Sequence, residues 1–196
     1  MLTYANQLTI LRMIFAPCFV VLIVYGHPKA ATYIFILAAI TDALDGLLAR
    51  KLQQKTVLGS YLDPMADKIL LTAAFVTLTI PSLPLVAHIP VWLTILVISR
   101  DLLIALSSLI IHLQTNHSHF PPSLLGKCTT ASQVSLVGAG MLANFLPKLG
   151  MLLFSPLVWL TLFFTVGSGM HYFYRSVGII GSYQKKAEAG NAEKRN

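Results

Sequence analysis

Residues 42–67 read DALDGLLARKLQQKTVLGSYLDPMAD and carry four aspartates within a strongly apolar chain. Asp42 and Asp45 end one apolar stretch, whereas Asp63 and Asp67 open the next. Spacings of three and four residues place the two members of each pair on one face of a helix. Because the segment between the pairs is short and polar, the two helices are predicted to be antiparallel neighbours whose carboxylates converge at one depth.

Apolar stretches extend outward from this segment over most of the chain. With 56% hydrophobic and 11% charged residues, the chain is less polar than a soluble domain, in which about 25% of residues are charged. Each stretch is close to the roughly 20 residues that cross a membrane as a helix. The sequence therefore predicts an all-α fold, an integral membrane bundle of six transmembrane helices. The stretches lie at roughly 8–25, 32–50, 69–80 extended back through the acidic segment, 90–111, 127–146 and 151–174.

The distribution of basic residues indicates a membrane topology rather than a nucleic-acid partner, although the net charge is +7. If both termini are cytoplasmic and six helices alternate, the outer loops carry only Lys29 and Lys148. This asymmetry is the one that the positive-inside rule predicts. Residues 1–182 are expected to form a single membrane domain, and 183–196 a mobile cytoplasmic tail that attracts anionic lipid headgroups. The inner segments carry Arg50, Lys51, Lys55, Lys127, Arg175, Lys185, Lys186, Lys194 and Arg195.

The aspartates are candidates for function because an ionised carboxylate in an apolar segment costs several kcal/mol unless it is paired. Four carboxylates in one low-dielectric cleft would raise one another's pKa strongly, so a positive partner is required. Oxygen donors without a nearby His or Cys favour Mg²⁺, Mn²⁺ or Ca²⁺ over zinc. The set is large enough for two ions at about 3.5–4 Å, an arrangement that clamps a phosphoryl group during in-line displacement.

Small and basic residues accompany the aspartates at fixed offsets. Gly46 leaves room for a ligand to approach the backbone, and Ala49 keeps the next turn of that face small. Arg50 ends the segment with a planar fork suited to phosphate oxygens. Gly59 is expected to let the chain turn tightly into the third helix, with Pro64 in the first turn, where a missing N–H is tolerated.

Other interpretations of these residues remain open at this point. Buried ion pairs of Asp45 with Arg50, or of Asp67 with Lys68, would hold helices together but account for two acids at most. A cation or proton transporter also places aspartates in membrane helices, although it predicts acids at several depths along a pore. Neither interpretation explains the ordered set of acidic, small and basic residues.

The pattern D-x2-D-G-x2-A-R-x8-G-x3-D-x3-D is matched without exception from Asp42 to Asp67 and resembles the signature of the CDP-alcohol phosphotransferases. The resemblance implies six transmembrane helices around a polar cavity, in a multi-pass protein of a bacterial inner membrane, with the active site facing the cytoplasm. It implies two divalent cations, Mg or Mn, on the diphosphate of CDP-diacylglycerol. Asp67 would also be the general base, and the metal ligands would be Asp42, Asp45, Asp63 and Asp67. A non-catalytic descendant would usually have lost one of these carboxylates, and none is lost.

The same resemblance implies roles for residues around the aspartates and further along the chain. The segments Asn6–Arg12, Ile98–Asp101 and Gly126–Thr130 are similar to those of the branch that makes phosphatidylglycerophosphate and, in a related group, cardiolipin. Asp101 is equally compatible with a buried ion pair. The implied reaction moves a phosphatidyl group to a glycerol-type hydroxyl with release of CMP. The implied CDP-lipid-binding residues are Thr9, Gly46, Ala49, Arg50 and Gly59, and the acceptor-binding residues are Arg100 and Lys127.

Two departures from the branch bear on the acceptor. Phosphatidylglycerophosphate synthases typically have basic residues where this chain has Ser108 and Thr129. Glycerol 3-phosphate carries close to two negative charges, so the loss of two cations favours phosphatidylglycerol, the acceptor in cardiolipin synthesis. Glycerol 3-phosphate is nevertheless the predicted acceptor because that activity is widespread in the branch. Members of the family are often homodimers, and no feature of this sequence marks a dimer face.

Overall fold

The computed structural model describes the backbone of residues 4–52, 57–115 and 124–193, and the side chains of residues 10–41, 68–107, 124–172 and 174. Over these ranges the chain forms six helices and no strand. Each apolar stretch of the sequence corresponds to one helix, in order, so the all-α prediction is confirmed. The helices are α1 (Tyr4–Val24), α2 (Pro28–Leu52), α3 (Val57–Thr79), α4 (Val91–Thr115), α5 (Leu124–Leu142) and α6 (Pro147–Glu193).

Two helix ends differ from the sequence-based expectation. Helix α3 begins at Val57, so Gly59 lies inside its first turn and the predicted tight turn at Gly59 is wrong. A glycine permits a turn without imposing one, and its cost of about 1 kcal/mol in a helix interior is small. Helix α6 continues to Glu193, through a segment expected to be a polar tail. That segment is rich in Ala, Lys and Glu, which are strong helix formers.

Helix α6 contains the one described segment that is both long and apolar enough to cross a membrane, Pro147–Tyr172. Only 28% of its apolar window is buried, whereas the core helix of a soluble protein would be mostly buried. Leu152 and Phe163 are each 71% exposed, and Trp159 is 64% exposed. The surface of this helix is therefore apolar, as expected of a helix that faces lipid.

The chain divides into two compact units, and the first consists of Met1–Thr94 and Gln133–Val158. Helix α1 packs against α2 and α3 in this unit. The rings of Phe19 and Phe35, whose centroids are 6.1 Å apart, join α1 to α2. Thr79 at the end of α3 lies 2.6 Å from Thr94 at the start of α4, hydroxyl to hydroxyl. Helices α2 and α3, which carry the aspartates, are thus packed against α1, and the end of α3 is joined to the start of α4.

In the first unit, the start of α6 packs closely against the turn that follows α5, and this contact depends on Gly150. A Cβ atom at this position would collide with the backbone of Ala143. Gly138, in α5, has no other atom within 4 Å of the place where a Cβ would be. The two glycines therefore form a matched pair, one crowded and one open.

We expect Gly150→Ala to lower the free energy of unfolding by about 1–3 kcal/mol, because overpacking a tight contact forces the backbone to shift. Gly138→Ala should be neutral or slightly stabilising, since alanine is the better helix former. Thermal unfolding of the purified protein in detergent measures both. Equal midpoints for the two variants would show that α6 does not pack closely against Ala143 at Gly150.

The second unit consists of Ile95–Ser132 and Trp159–Asn196, and therefore contains most of α4, the start of α5 and the longer part of α6. Polar side chains are buried among these three helices. The hydroxyl of Thr161 donates a hydrogen bond of 3.2 Å to the carbonyl oxygen of Ser132, which joins α6 to α5.

Candidate active site

The two aspartate pairs lie on regular helices of the first unit. Helix α2 is continuous from Pro28 to Leu52 and includes Asp42 and Asp45 in its last three turns. Helix α3 is continuous from Val57 to Thr79 and includes Asp63 and Asp67. The spacings of three and four residues therefore place each pair on one helix face, as the sequence predicts. The four side chains themselves lie outside the described part of the structure, so the register comes from the backbone alone.

The chemistry of this donor set fits a divalent cation. It offers only carboxylate oxygens, which are the ligands that Mg²⁺ and Mn²⁺ prefer. Among the side chains that the structure describes, no group of three or more His, Cys, Asp or Glu could hold a metal ion. The side chains of the four aspartates lie outside the described residues, so the metal site stays a prediction.

The residues predicted to bind the CDP-lipid are distributed over three helices. Thr9 lies in α1, Gly59 lies in the first turn of α3, and the other three share the end of α2 with the first aspartate pair. Because α1 packs against both other helices, these positions belong to one group of neighbouring helices. Their side chains are outside the described residues, so the assigned roles stay predictions. The three residues of α2 are Gly46, Ala49 and Arg50.

Arg100, a predicted acceptor-binding residue, is held in the second unit by neighbouring side chains. It is only 7% exposed. Its Nη1 donates to Asp101 Oδ1 at 2.8 Å, and its Nε donates to Ser168 Oγ at 3.0 Å. The ring of Tyr172 lies beside the guanidinium, with its centroid 5.8 Å from Cζ. The ion pair that the sequence suggested for Asp101 is therefore present, and it fixes Arg100 in place.

Thr129 supplies a second hydroxyl next to Arg100, at a position where the resemblance described above predicts a basic residue. Thr129 is fully buried. Its Oγ1 lies 3.0 Å from Ser168 Oγ, 2.8 Å from the carbonyl oxygen of Leu125 and 3.0 Å from that of Phe164. Its hydroxyl thus joins α5 to α6. Lys127, the other predicted acceptor-binding residue, is exposed in the first turn of α5, and the Ser108 side chain lies outside the described residues.

Sequence reasoning missed Ser168 and Tyr172. A signal for them exists in α6, because Thr161, Thr165, Ser168 and Tyr172 recur at spacings of four, three and four residues. Such spacings place polar groups on a single face of a helix that is otherwise apolar. Thr161, Thr165 and Ser168 are buried, as a polar face in an apolar helix requires.

Comparison with known proteins identifies the family. The sequence profile of the CDP-alcohol phosphatidyltransferases matches residues 2–167. The chain belongs to this family. It is 32% identical to the CDP-diacylglycerol--glycerol-3-phosphate 3-phosphatidyltransferase of Bacillus subtilis, with 90% of this chain and 96% of that protein covered. It is also 32% identical to a probable phosphatidylglycerophosphate synthase of Mycobacterium tuberculosis, with 93% and 86% covered.

A relative with a different acceptor is equally similar to this member of the family. Human cardiolipin synthase (CMP-forming) is 32% identical, with 88% of this chain and 61% of that protein covered. Family membership confirms the predicted resemblance and the enzyme class, a phosphatidyltransferase. Overall identity does not separate the two predicted acceptors, because both kinds of relative match at the same level.

Proposed function

We propose that the chain transfers the phosphatidyl group of CDP-diacylglycerol to a hydroxyl of glycerol 3-phosphate and releases CMP. The observation that carries this proposal is the complete aspartate pattern from Asp42 to Asp67, on two regular helices of a chain whose family match covers residues 2–167. The relatives from Bacillus subtilis and Mycobacterium tuberculosis, named for this synthesis, support it.

Asp67 acts as the base in this reaction. It takes the proton of the acceptor hydroxyl while the hydroxyl oxygen forms a bond to phosphorus. The bond from phosphorus to the CMP oxygen breaks, and CMP leaves with the electron pair. Two divalent cations, Mg or Mn, when bound by the four aspartates, supply positive charge to the diphosphate. Arg50 pairs with the same diphosphate, while Gly46 and Ala49 leave room for cytidine.

Arg100 and Lys127 bind the acceptor. A guanidinium fork suits phosphate oxygens, and Arg100 is already oriented by Asp101 and Ser168. Lys127, which is exposed, adds a second positive charge.

Phosphatidylglycerol is the second candidate acceptor. A neutral, buried hydroxyl at Thr129 stands where phosphatidylglycerophosphate synthases have a cation, and human cardiolipin synthase is as similar as the bacterial relatives. A phosphodiester carries one negative charge, so it needs fewer cations than the phosphate of glycerol 3-phosphate. A transporter function has no comparable support.

The reaction takes place in a membrane, with all six helices spanning a bacterial inner membrane as one domain over residues 1–182. Helices α1 to α5 have 21, 25, 23, 25 and 19 residues, close to the roughly 20 needed. The exposed apolar surface of α6 supports lipid contact. The excess of basic residues in the predicted inner segments supports a cytoplasmic position for both termini and the active site. A homodimer stays a prediction from the family.

A lipid-product assay tests the acceptor. The purified protein is given CDP-diacylglycerol and Mg²⁺ with glycerol 3-phosphate, phosphatidylglycerol, serine or inositol phosphate in separate reactions. We expect phosphatidylglycerophosphate with the first acceptor and no product with serine or inositol phosphate. Cardiolipin formed from phosphatidylglycerol, with no product from glycerol 3-phosphate, would replace the first candidate by the second.

A further inference from the structure

Arg100 has N–H groups that donate no hydrogen bond to its described neighbours. A guanidinium has five N–H groups. Ser168 and Asp101 accept from two of them, and the others have no acceptor among the residues whose side chains are described. Because Asp101 balances the charge of Arg100, the attraction for a further anion depends on how these N–H groups are aimed.

Ser168 orients the guanidinium by accepting a hydrogen bond from Arg100 Nε. It is fully buried, and its hydroxyl donates to the carbonyl oxygen of Thr165 at 3.2 Å. Ser168 Oγ then accepts from Arg100 Nε at 3.0 Å and lies 3.0 Å from Thr129 Oγ1. The one proton of the Thr129 hydroxyl is shared between Ser168 Oγ and the carbonyl oxygens of Leu125 and Phe164. A buried donor keeps an orientation that satisfies its hydrogen bond, since an unpaired buried N–H is costly. Ser168 and Thr129 thus link α4, α5 and α6 at the base of the guanidinium.

We infer that Ser168 and Thr129 are positioning residues that orient Arg100 to bind the phosphate of the acceptor. This inference rests on the proposed function, and it extends it to two residues that do not touch the substrate. The ligand is an anionic phosphate, whether the monoester of glycerol 3-phosphate or the diester of phosphatidylglycerol. An arginine that is already oriented before the acceptor binds loses less side-chain entropy on binding than a mobile one. The orientation therefore lowers the KM for the acceptor.

The test separates acceptor binding from folding and from donor binding. Ser168→Ala removes the acceptor of the Arg100 Nε hydrogen bond, and Thr129→Val removes the supporting hydroxyl with little change of volume. Thr129→Ser keeps that hydroxyl and serves as the rescue variant. Thr130→Val is the matched control, because Thr130 is exposed and its hydroxyl bonds only to the carbonyl oxygen of Gly126 in its own helix.

We expect Ser168→Ala to raise the KM for the acceptor about tenfold, which corresponds to about 1.4 kcal/mol. Thr129→Val should raise it less, since Ser168 keeps its other partners. The kcat and the KM for CDP-diacylglycerol should stay near wild type, and Thr129→Ser and Thr130→Val should behave as wild type. The KM values are measured with glycerol 3-phosphate and with phosphatidylglycerol separately, which identifies the source of the phosphate.

Two results would overturn the inference. The first is an unchanged acceptor KM in Ser168→Ala, and a lower thermal midpoint of unfolding beside it would make Ser168 a purely structural residue. The second is an equal rise of the KM for CDP-diacylglycerol. Calorimetric binding of glycerol 3-phosphate and of inorganic phosphate to wild type and to Ser168→Ala tests the inference independently of turnover. If the wild type transfers nothing but binds phosphate more tightly than Ser168→Ala does, the proposed function fails and the inference stands.

Discussion

Asp67→Asn is expected to reduce CMP release from CDP-diacylglycerol at least about a thousandfold. General base catalysis contributes roughly 10²–10⁴ to a rate, and this substitution also removes one of four predicted carboxylate ligands. An amide is similar in size to the carboxylate but does not accept the proton of the acceptor hydroxyl. Release of CMP at saturating Mg²⁺ and acceptor measures the effect, because saturation prevents weaker metal binding from being mistaken for the loss of the base.

The control for this substitution is Glu188→Gln, the same carboxylate-to-amide change in the polar segment at the end of α6. It should keep the wild-type rate, since that segment is outside the predicted site. Thermal unfolding of both variants verifies that the fold is retained. If Asp67→Asn turns over as fast as Glu188→Gln, Asp67 is not the base.

Removal of divalent cations is expected to abolish turnover and to leave the protein folded. Four like charges on neighbouring helix faces need counter-charge, and the diphosphate of the substrate adds further negative charge. The measurement is CMP release in EDTA, followed by addition of Mg²⁺ or Mn²⁺ in excess, which should restore the rate. Potassium chloride at matched ionic strength is the control for simple screening.

A rate in EDTA equal to the rate in Mg²⁺ would contradict the metal site. Restoration by potassium chloride alone would do the same, because a screened surface charge rather than a bound cation would then explain the effect. Partial restoration by Mn²⁺ and full restoration by Mg²⁺, or the reverse, identifies the preferred ion.

Much of the fold follows from the sequence because the lengths of apolar segments and the polar links between them are visible there. The aspartates stand out for a related reason, since a carboxylate in an apolar segment is costly and needs an explanation. Where a helix begins is harder to predict. Gly59 has the freedom to end or to join a helix, and the structure places it inside α3.

The sequence predicts a role for Arg100 but not the side chains that surround it. A buried ion pair of Asp101 was one of the alternatives that the sequence left open, and consecutive residues of a helix do not usually face each other. The long side chain of Arg100 nevertheless reaches Asp101. Ser168 and Thr129 are small hydroxyl residues of a kind common in apolar helices, where they often bond only to their own backbone. Their contact depends on how α5 and α6 are rotated about their axes, and a single sequence does not determine that rotation. The acceptor does not follow from the sequence for a similar reason, because the predicted acceptor-binding residues, Arg100 and Lys127, lie on different helices, α4 and α5.

Acceptor-dependent CMP release is the measurement that tests the central claim most directly. Purified protein is incubated with CDP-diacylglycerol and Mg²⁺, with and without glycerol 3-phosphate or phosphatidylglycerol, and CMP is quantified against the lipid product. The four-aspartate site predicts CMP and phospholipid in equal amounts when a glycerol-type acceptor is present, and almost none when it is omitted. CMP released at the same rate without any acceptor, or no CMP with either acceptor, would contradict it.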